Sequence, residues 1–171
     1  MHKIAMLVTG LIGHFYTRAL HLPRGGDRVH IVYSRREERA QEFADEWGIP
    51  NITTSMKEAI THPEVDLIVV ALPNNLHKEV ILTAAEAGKG ILCTKPLAMN
   101  GTEALEILQA VEKAGVFHGY MEDLVYAPKT LKAISAVENG ALGEILWTRS
   151  RAARPGPHSD WFWDSSQSGG G

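Results

Sequence analysis

Cysteine is nearly absent: Cys93 is the single one in 171 residues. No disulfide can close within the chain, and a reducing compartment is the default that follows. Charge of one sign is also missing. Seventeen Lys and Arg stand against 20 Asp and Glu, a formal net charge of -3. That balance argues against non-specific binding to nucleic acid or to a membrane surface. No apolar run is long enough to span a bilayer. The opening MHKIAMLVTG holds too short an apolar stretch for a signal peptide and runs directly into a glycine turn. These absences lead to the expectation of a soluble, cytoplasmic protein. What the chain has is a hydrophobic fraction of 44%, enough for a real core, and a length that suits one full domain and the start of another.

Short apolar strands alternate with amphipathic helices, the pattern of a doubly wound parallel α/β sheet. Strands are expected at Ile4–Val8, Arg28–Tyr33, Ile52–Thr53, Val65–Leu72, Ile91–Thr94 and Val116–Tyr120. The run Val65–Leu72 is continuously apolar, as a strand covered on both faces should be. Helices are expected at Leu11–Leu20, Arg36–Trp47, Met56–Ile60, Leu76–Ala87 and from the Asn100 cap to Ala114, with Gly48, Gly88 and Gly115 as stops. Glu103 is placed to reach back to the cap at Asn100. After Tyr120 the character changes. Pro128–Glu138 reads as a helix, and Glu144–Arg151 alternates like a strand of a second, antiparallel sheet. The division read here is a first domain over 1–121 and the start of a second over 122–171.

Strand one runs into Val8-Thr9-Gly10-Leu11-Ile12-Gly13. The usual dinucleotide turn is G-x-G-x-x-G, with the pyrophosphate on the helix N-terminus. Gly10 and Gly13 fill its second and third places, and Val8 stands in the first. Strand two ends in Tyr33-Ser34-Arg35-Arg36, about 20 residues on, where an acidic side chain would hold the 2′-hydroxyl of NAD. Here stand a hydroxyl and two guanidinium groups, which suit a phosphate. The inference is NADP(H) in preference to NAD(H). The plainer alternative is a solvated helix start, Arg35-Arg36-Glu37-Glu38-Arg39, held by i,i+3 and i,i+4 pairs.

The stretch from Val69 to Ala98 is the most informative. It places Leu72, Pro73, Asn74 and His77 after one strand and Thr94, Lys95 and Pro96 at the end of the next. In a parallel sheet these strand ends form the ligand edge, so one bound molecule can touch Asn74, His77 and Lys95. The cofactor contacts expected are Thr9, Gly10, Leu11, Ile12, Ser34, Arg35, Arg36, Leu72, Pro73, Asn74, His77, Thr94, Lys95 and Pro96. Lys95 is placed to exchange a proton with a substrate hydroxyl while hydride moves. His77, His158 and Trp161 are weaker substrate candidates, and no metal is expected. Asn74 also suits a helix cap that needs no ligand.

The tail ARPGPHSDWFWDSSQSGGG sets Trp161, Phe162 and Trp163 among small polar residues. Either they fold back on the domain or the rest of a second domain is absent, and the second is the reading favoured here.

Three motifs resemble the Gfo/Idh/MocA family of NAD(P)-dependent oxidoreductases: the Gly10-Leu11-Ile12-Gly13 turn, Ala71-Leu72-Pro73-Asn74-Asn75-Leu76-His77, and Cys93-Thr94-Lys95-Pro96-Leu97, which looks like the family's Glu-Lys-Pro signature. Gly140-Ala141-Leu142-Gly143-Glu144-Ile145 looks like its entry into a second domain. The resemblance implies a Rossmann domain followed by an α/β domain with an open, mostly antiparallel sheet that commonly forms the subunit interface. It implies that Lys95 lies beside nicotinamide and substrate, and a homo-oligomer at full length. Two departures are Val8 for a turn glycine and Thr94 for the glutamate. In family members a similar Gly-rich stretch leads into a helix bearing an active-site aspartate and histidine, so roughly half of a typical member is expected to be missing.

The function expected is hydride transfer between NADP(H) and a hydroxyl carbon of a sugar, cyclitol or related polyol, with little turnover by this piece alone. Alternatives are a non-catalytic NAD(P)-binding regulatory protein and an NAD-dependent glycosidase.

Overall fold

The computed structural model describes residues 1–22, 26–153, 156, 157 and 159–169. Six strands form one sheet: β1 (Lys3–Met6), β2 (Arg28–Tyr33), β3 (Asn51–Thr53), β4 (Leu67–Val70), β5 (Gly90–Thr94) and β6 (His118–Met121). Their order is β3-β2-β1-β4-β5-β6, and every neighbouring pair is parallel. Strand order reverses between β1 and β4, which opens a crevice outside their carboxyl ends.

Alternation along the strands explains the two apolar layers. Ile4 and Met6 face one side with Val32, Val69 and Phe43, while Ala5 and Leu7 face the other with Ile68, Val70, Ile91 and Ile107. Successive side chains point to opposite faces of a strand, so a strand covered on both sides must be apolar throughout. Helices α1 (Leu11–Leu20) and α2 (Glu37–Trp47) bring Tyr16 and Phe43 to the first layer. Helices α3 (Met56–Thr61), α4 (His77–Glu86) and α5 (Gly101–Ala114) bring Ile60, Val80, Ile81 and Val111 to the second.

Local signals set the helix ends. Asn100 accepts from the Glu103 N–H at 3.0 Å, and the Glu103 carboxylate accepts from the Met99 N–H at 3.2 Å. This is the reciprocal cap read from the sequence, shifted by one residue on its return leg. Gly48 and Gly115 close α2 and α5 in the left-handed region.

Beyond β6 the chain forms α6 (Pro128–Glu138) and the short α7 (Ser165–Ser168). No strand forms over Glu144–Arg151, which corrects the sequence expectation there. A strand needs a partner to pair its backbone groups, and among the described residues the single sheet ends at β6. Leu146 and Trp147 are accordingly 86% and 77% exposed. No helix among the described residues is long and apolar enough to cross a membrane.

Candidate functional site

The carboxyl ends of β1, β2, β4 and β5 deliver the predicted segments to one edge. After β1 the chain turns at Thr9 and Gly10 into α1. Gly10 sits at the helix N-cap with no side-chain cap, and no acidic residue stands in the first turn. Among the described residues nothing caps the leading N–H groups of α1, and the positive end of the helix dipole there favours an anion. Leu11 and Ile12 are 69% and 44% exposed beside it. The two glycines do different work. A Cβ on Gly13 would stand 2.4 Å from the Val8 carbonyl oxygen, whereas a Cβ on Gly10 meets nothing within 4 Å. Gly13 therefore permits α1 to pack on β1, and Gly10 leaves open space in front of the helix. This cradle fits a dinucleotide pyrophosphate, with Val8 in the first motif place.

At the end of β2, Ser34 is buried and its Oγ accepts from the Arg36 N–H at 3.3 Å. Ser34, Arg35, Arg36 and Arg39 line a cavity of about 330 Å³. None of the three guanidinium groups forms an ion pair among the described residues. The helical Arg–Glu pairing that would have explained the run without a ligand is not formed. Arg39, in the first turn of α2, entered the sequence reading only as part of a solvated helix start and not as a cofactor contact. Its spacing of three and four from Arg36 and Arg35 is the signal that would have found it.

After β4, Pro73 leads into a single 3-10 turn, Asn74–Leu76, and then α4. Asn74 does not cap α4; its side-chain amide donates to the Ser168 carbonyl at 2.7 Å. His77 has no exposed surface. Its Nδ1 lies 2.9 Å from the Pro96 carbonyl oxygen and its Nε2 2.9 Å from that of Leu72. Burial holds its pKa below the ordinary histidine value, opposed by the carbonyl contacts. The structure thus sets His77 beneath the edge, where it ties the Leu72 turn to the Pro96 turn rather than standing open to a ligand.

After β5, Thr94 is half-buried, Lys95 is exposed and Lys95-Pro96 is a cis bond. Lys95 Nζ lies 5.8 Å from the centre of the Phe162 ring. Trp161 stacks on Phe162 with centroids 3.9 Å apart and planes at 23°. Trp161 and Phe162 fold back beside Lys95. Trp163 stays 76% exposed. His158 lies outside the described residues. Cys93, one residue before Thr94, is buried and its thiol is pushed up to about 12 by desolvation. Tyr16, absent from the sequence reading, comes from α1 toward the end of β6. Burial first, then Asp123 and Glu122, raise its pKa.

A family model described as an oxidoreductase family with an NAD-binding Rossmann fold, Gfo/Idh/MocA, matches residues 2–121. The chain belongs to this family. Among curated relatives, a levoglucosan dehydrogenase of Pseudarthrobacter phenanthrenivorans is 32% identical over 146 residues, covering 82% of this chain and 37% of the relative. A 1,5-anhydro-D-fructose reductase of Ensifer adhaerens is 36% identical over 149 residues, covering 86% of this chain and 44% of the relative. Among solved structures, a levoglucosan dehydrogenase in complex with NADH and levoglucosan matches with a TM-score of 0.80 and 27% identity, over 98% of this chain and 49% of that one. The chain spans less than half the length of these curated relatives. As a Gfo/Idh/MocA chain it sets the Gly10 turn and Lys95 at one edge of a single sheet, and the levoglucosan dehydrogenase structure matches 98% of it.

Proposed function

We propose that this chain is the cofactor-binding part of an NADP(H)-preferring oxidoreductase that moves a hydride between nicotinamide and a hydroxyl carbon of a sugar, cyclitol or related polyol. The observation that carries the redox reading is the arrangement of Lys95 at the end of β5 on the same edge as the open α1 N-terminus. When bound, the nicotinamide supplies or accepts the hydride. The chain's own residues do the rest. Thr9 and the first N–H groups of α1 bind the pyrophosphate. Ser34, Arg35, Arg36 and Arg39 bind a 2′-phosphate, which three unpaired guanidinium groups around one cavity favour over a bare hydroxyl. Leu72, Pro73, Thr94 and Pro96 shape the nicotinamide end. Lys95 Nζ takes or gives the hydroxyl proton.

The substrate class rests on relatives whose names specify levoglucosan and 1,5-anhydro-D-fructose. Residues 122–171 then begin a substrate domain that also supports homo-oligomer formation, and the protein works in the cytoplasm.

The test is to incubate the purified chain with NADP and, separately, with levoglucosan, myo-inositol and glucose, and to follow nicotinamide absorbance. Cofactor binding with little turnover is expected. Robust sugar-dependent reduction of NADP by these 171 residues would contradict the reading that they bind a ring substrate without completing its catalytic site.

A further inference from the structure

Three contacts, made by residues of two different loops, hold one ten-residue segment on the ligand edge. In the turn after β4, Asn74 is 5% exposed and donates to the Ser168 carbonyl at 2.7 Å, across 94 positions of sequence. In the loop after β5, Met99 lies so close to Gly169 that a Cβ there would come within 3.2 Å of the Met99 carbonyl oxygen and 3.4 Å of its sulfur. Gly169 also has φ +88, a region that side chains disfavour. The third contact is the Lys95 ammonium beside the Phe162 ring.

The segment is stiffened from within. The Asp164 carboxylate accepts from the Ser166 N–H and hydroxyl and from the Gln167 amide, at 2.9, 2.6 and 2.7 Å. The Asp164 N–H also donates to the Trp161 carbonyl at 3.2 Å and the Ser168 N–H to the Asp164 carbonyl at 2.9 Å, so Asp164 links the aromatic stack to Ser168 through α7. A cyclic polyol has two chemical sides: hydroxyls that suit an ammonium, and C–H faces that suit an aromatic surface. Pockets for such ligands are largely apolar walls with a few placed polar groups, and an aromatic stack beside Lys95 supplies both kinds.

We propose that Asn74 is a positioning residue that latches segment 160–169 to the ligand edge, so that Trp161 and Phe162 form a wall of the substrate site beside Lys95 and favour ring substrates with an exposed C–H face. The wall rests on the oxidoreductase reading of Lys95; the latch does not.

Two measurements on the 171-residue chain test it. The first is amide hydrogen exchange of residues 160–169 in the parent, Asn74→Asp and Gly169→Val. Asn74→Asp removes the donor and sets a carboxylate against a carbonyl, while Gly169→Val leaves the β4 turn untouched. Local opening sets exchange rates, so tail exchange at least about tenfold faster in both variants, with β4 and β5 still protected, is expected. Unchanged tail exchange in both overturns the latch, and so does an equal loss of protection in the sheet. The second is a titration of the NADPH-loaded chain with myo-inositol and with levoglucosan, read by tryptophan fluorescence in the parent and Phe162→Ala. A saturable response in the parent, lost in the variant while NADPH affinity is kept, supports the wall. No response in the parent, or the same response in both, overturns it. Failure of NADPH itself to bind removes the oxidoreductase reading and the wall with it, and the exchange result still decides the latch.

Discussion

His77 Nδ1 lies 2.9 Å from the carbonyl oxygen of Pro96, and this contact couples the start of α4 to the turn that carries Lys95. The other ring nitrogen faces Leu72, the residue before Pro73. The neutral ring that burial favours carries one N–H, so it donates to one of these carbonyls and packs against the other, and removing it leaves a buried acceptor without its donor.

His77→Gln is expected to lower stability by about 1–3 kcal/mol, the usual cost of an unsatisfied buried polar group. The pH dependence has a definite sign. The folded pKa of His77 is lowered by burial, so below about 6.5 the unfolded chain takes up a proton that the folded chain resists. Its contribution is complete above about 6.5 and is lost as pH falls from there toward the folded value. Urea unfolding at pH 7.5 and 5.5 should show a smaller acid loss in the variant than in the parent. His21, also lowered by burial and by Arg28, adds a slope of the same sign to both proteins. An identical acid loss in parent and variant would sink this account.

Gly13→Ala and Gly10→Ala should separate folding from binding. The first sets a methyl 2.4 Å from the Val8 carbonyl oxygen, and overpacking of this kind costs about 1–3 kcal/mol. The second meets nothing within 4 Å, so thermal unfolding should stay near the parent while NADPH affinity falls. Equal losses of stability in the two variants would refute the division.

Arg35→Ala and Arg39→Ala should each weaken NADPH binding by about tenfold to a hundredfold, the range of a lost charge-assisted contact. NADH binding should change little. A uniform loss for both cofactors would mean that the arginines serve general electrostatics and not a 2′-phosphate.

Cys93 should resist alkylation in the folded protein. Its thiol is pushed up to about 12, and only the thiolate reacts. Labelling with iodoacetamide at neutral pH should follow unfolding in urea; fast labelling of the native chain would contradict the buried placement.

The strand and helix order was readable because the central strand β4 is apolar throughout and because α2 and α5 end at Gly48 and Gly115. Strand ends moved by a residue or two, since Val8, Ala71 and Leu72 are apolar but lie past the last ladder bond. Gly10, Ser34, Arg35 and Lys95 were legible because they follow strand ends, and strand ends share one edge by topology. Asn74 was not. Its partner Ser168 is 94 positions away, and nothing in a Pro-Asn-Asn turn distinguishes a cap, a ligand contact and a latch. His77 looked like an edge residue because helical spacing gives its direction only approximately; the structure turns it inward to Leu72 and Pro96. The strand expected over Glu144–Arg151 failed because alternation alone cannot supply a pairing partner.

The central claim is that this edge holds a nicotinamide dinucleotide with a preference for the 2′-phosphate. Titrating the parent chain with NADPH and with NADH by isothermal calorimetry tests it most directly. The account predicts saturable one-site binding of NADPH that is at least about tenfold tighter than that of NADH, a difference near 1.4 kcal/mol. Equal affinity for the two would contradict the reading of Ser34, Arg35, Arg36 and Arg39, and no binding of either would contradict the cofactor edge itself.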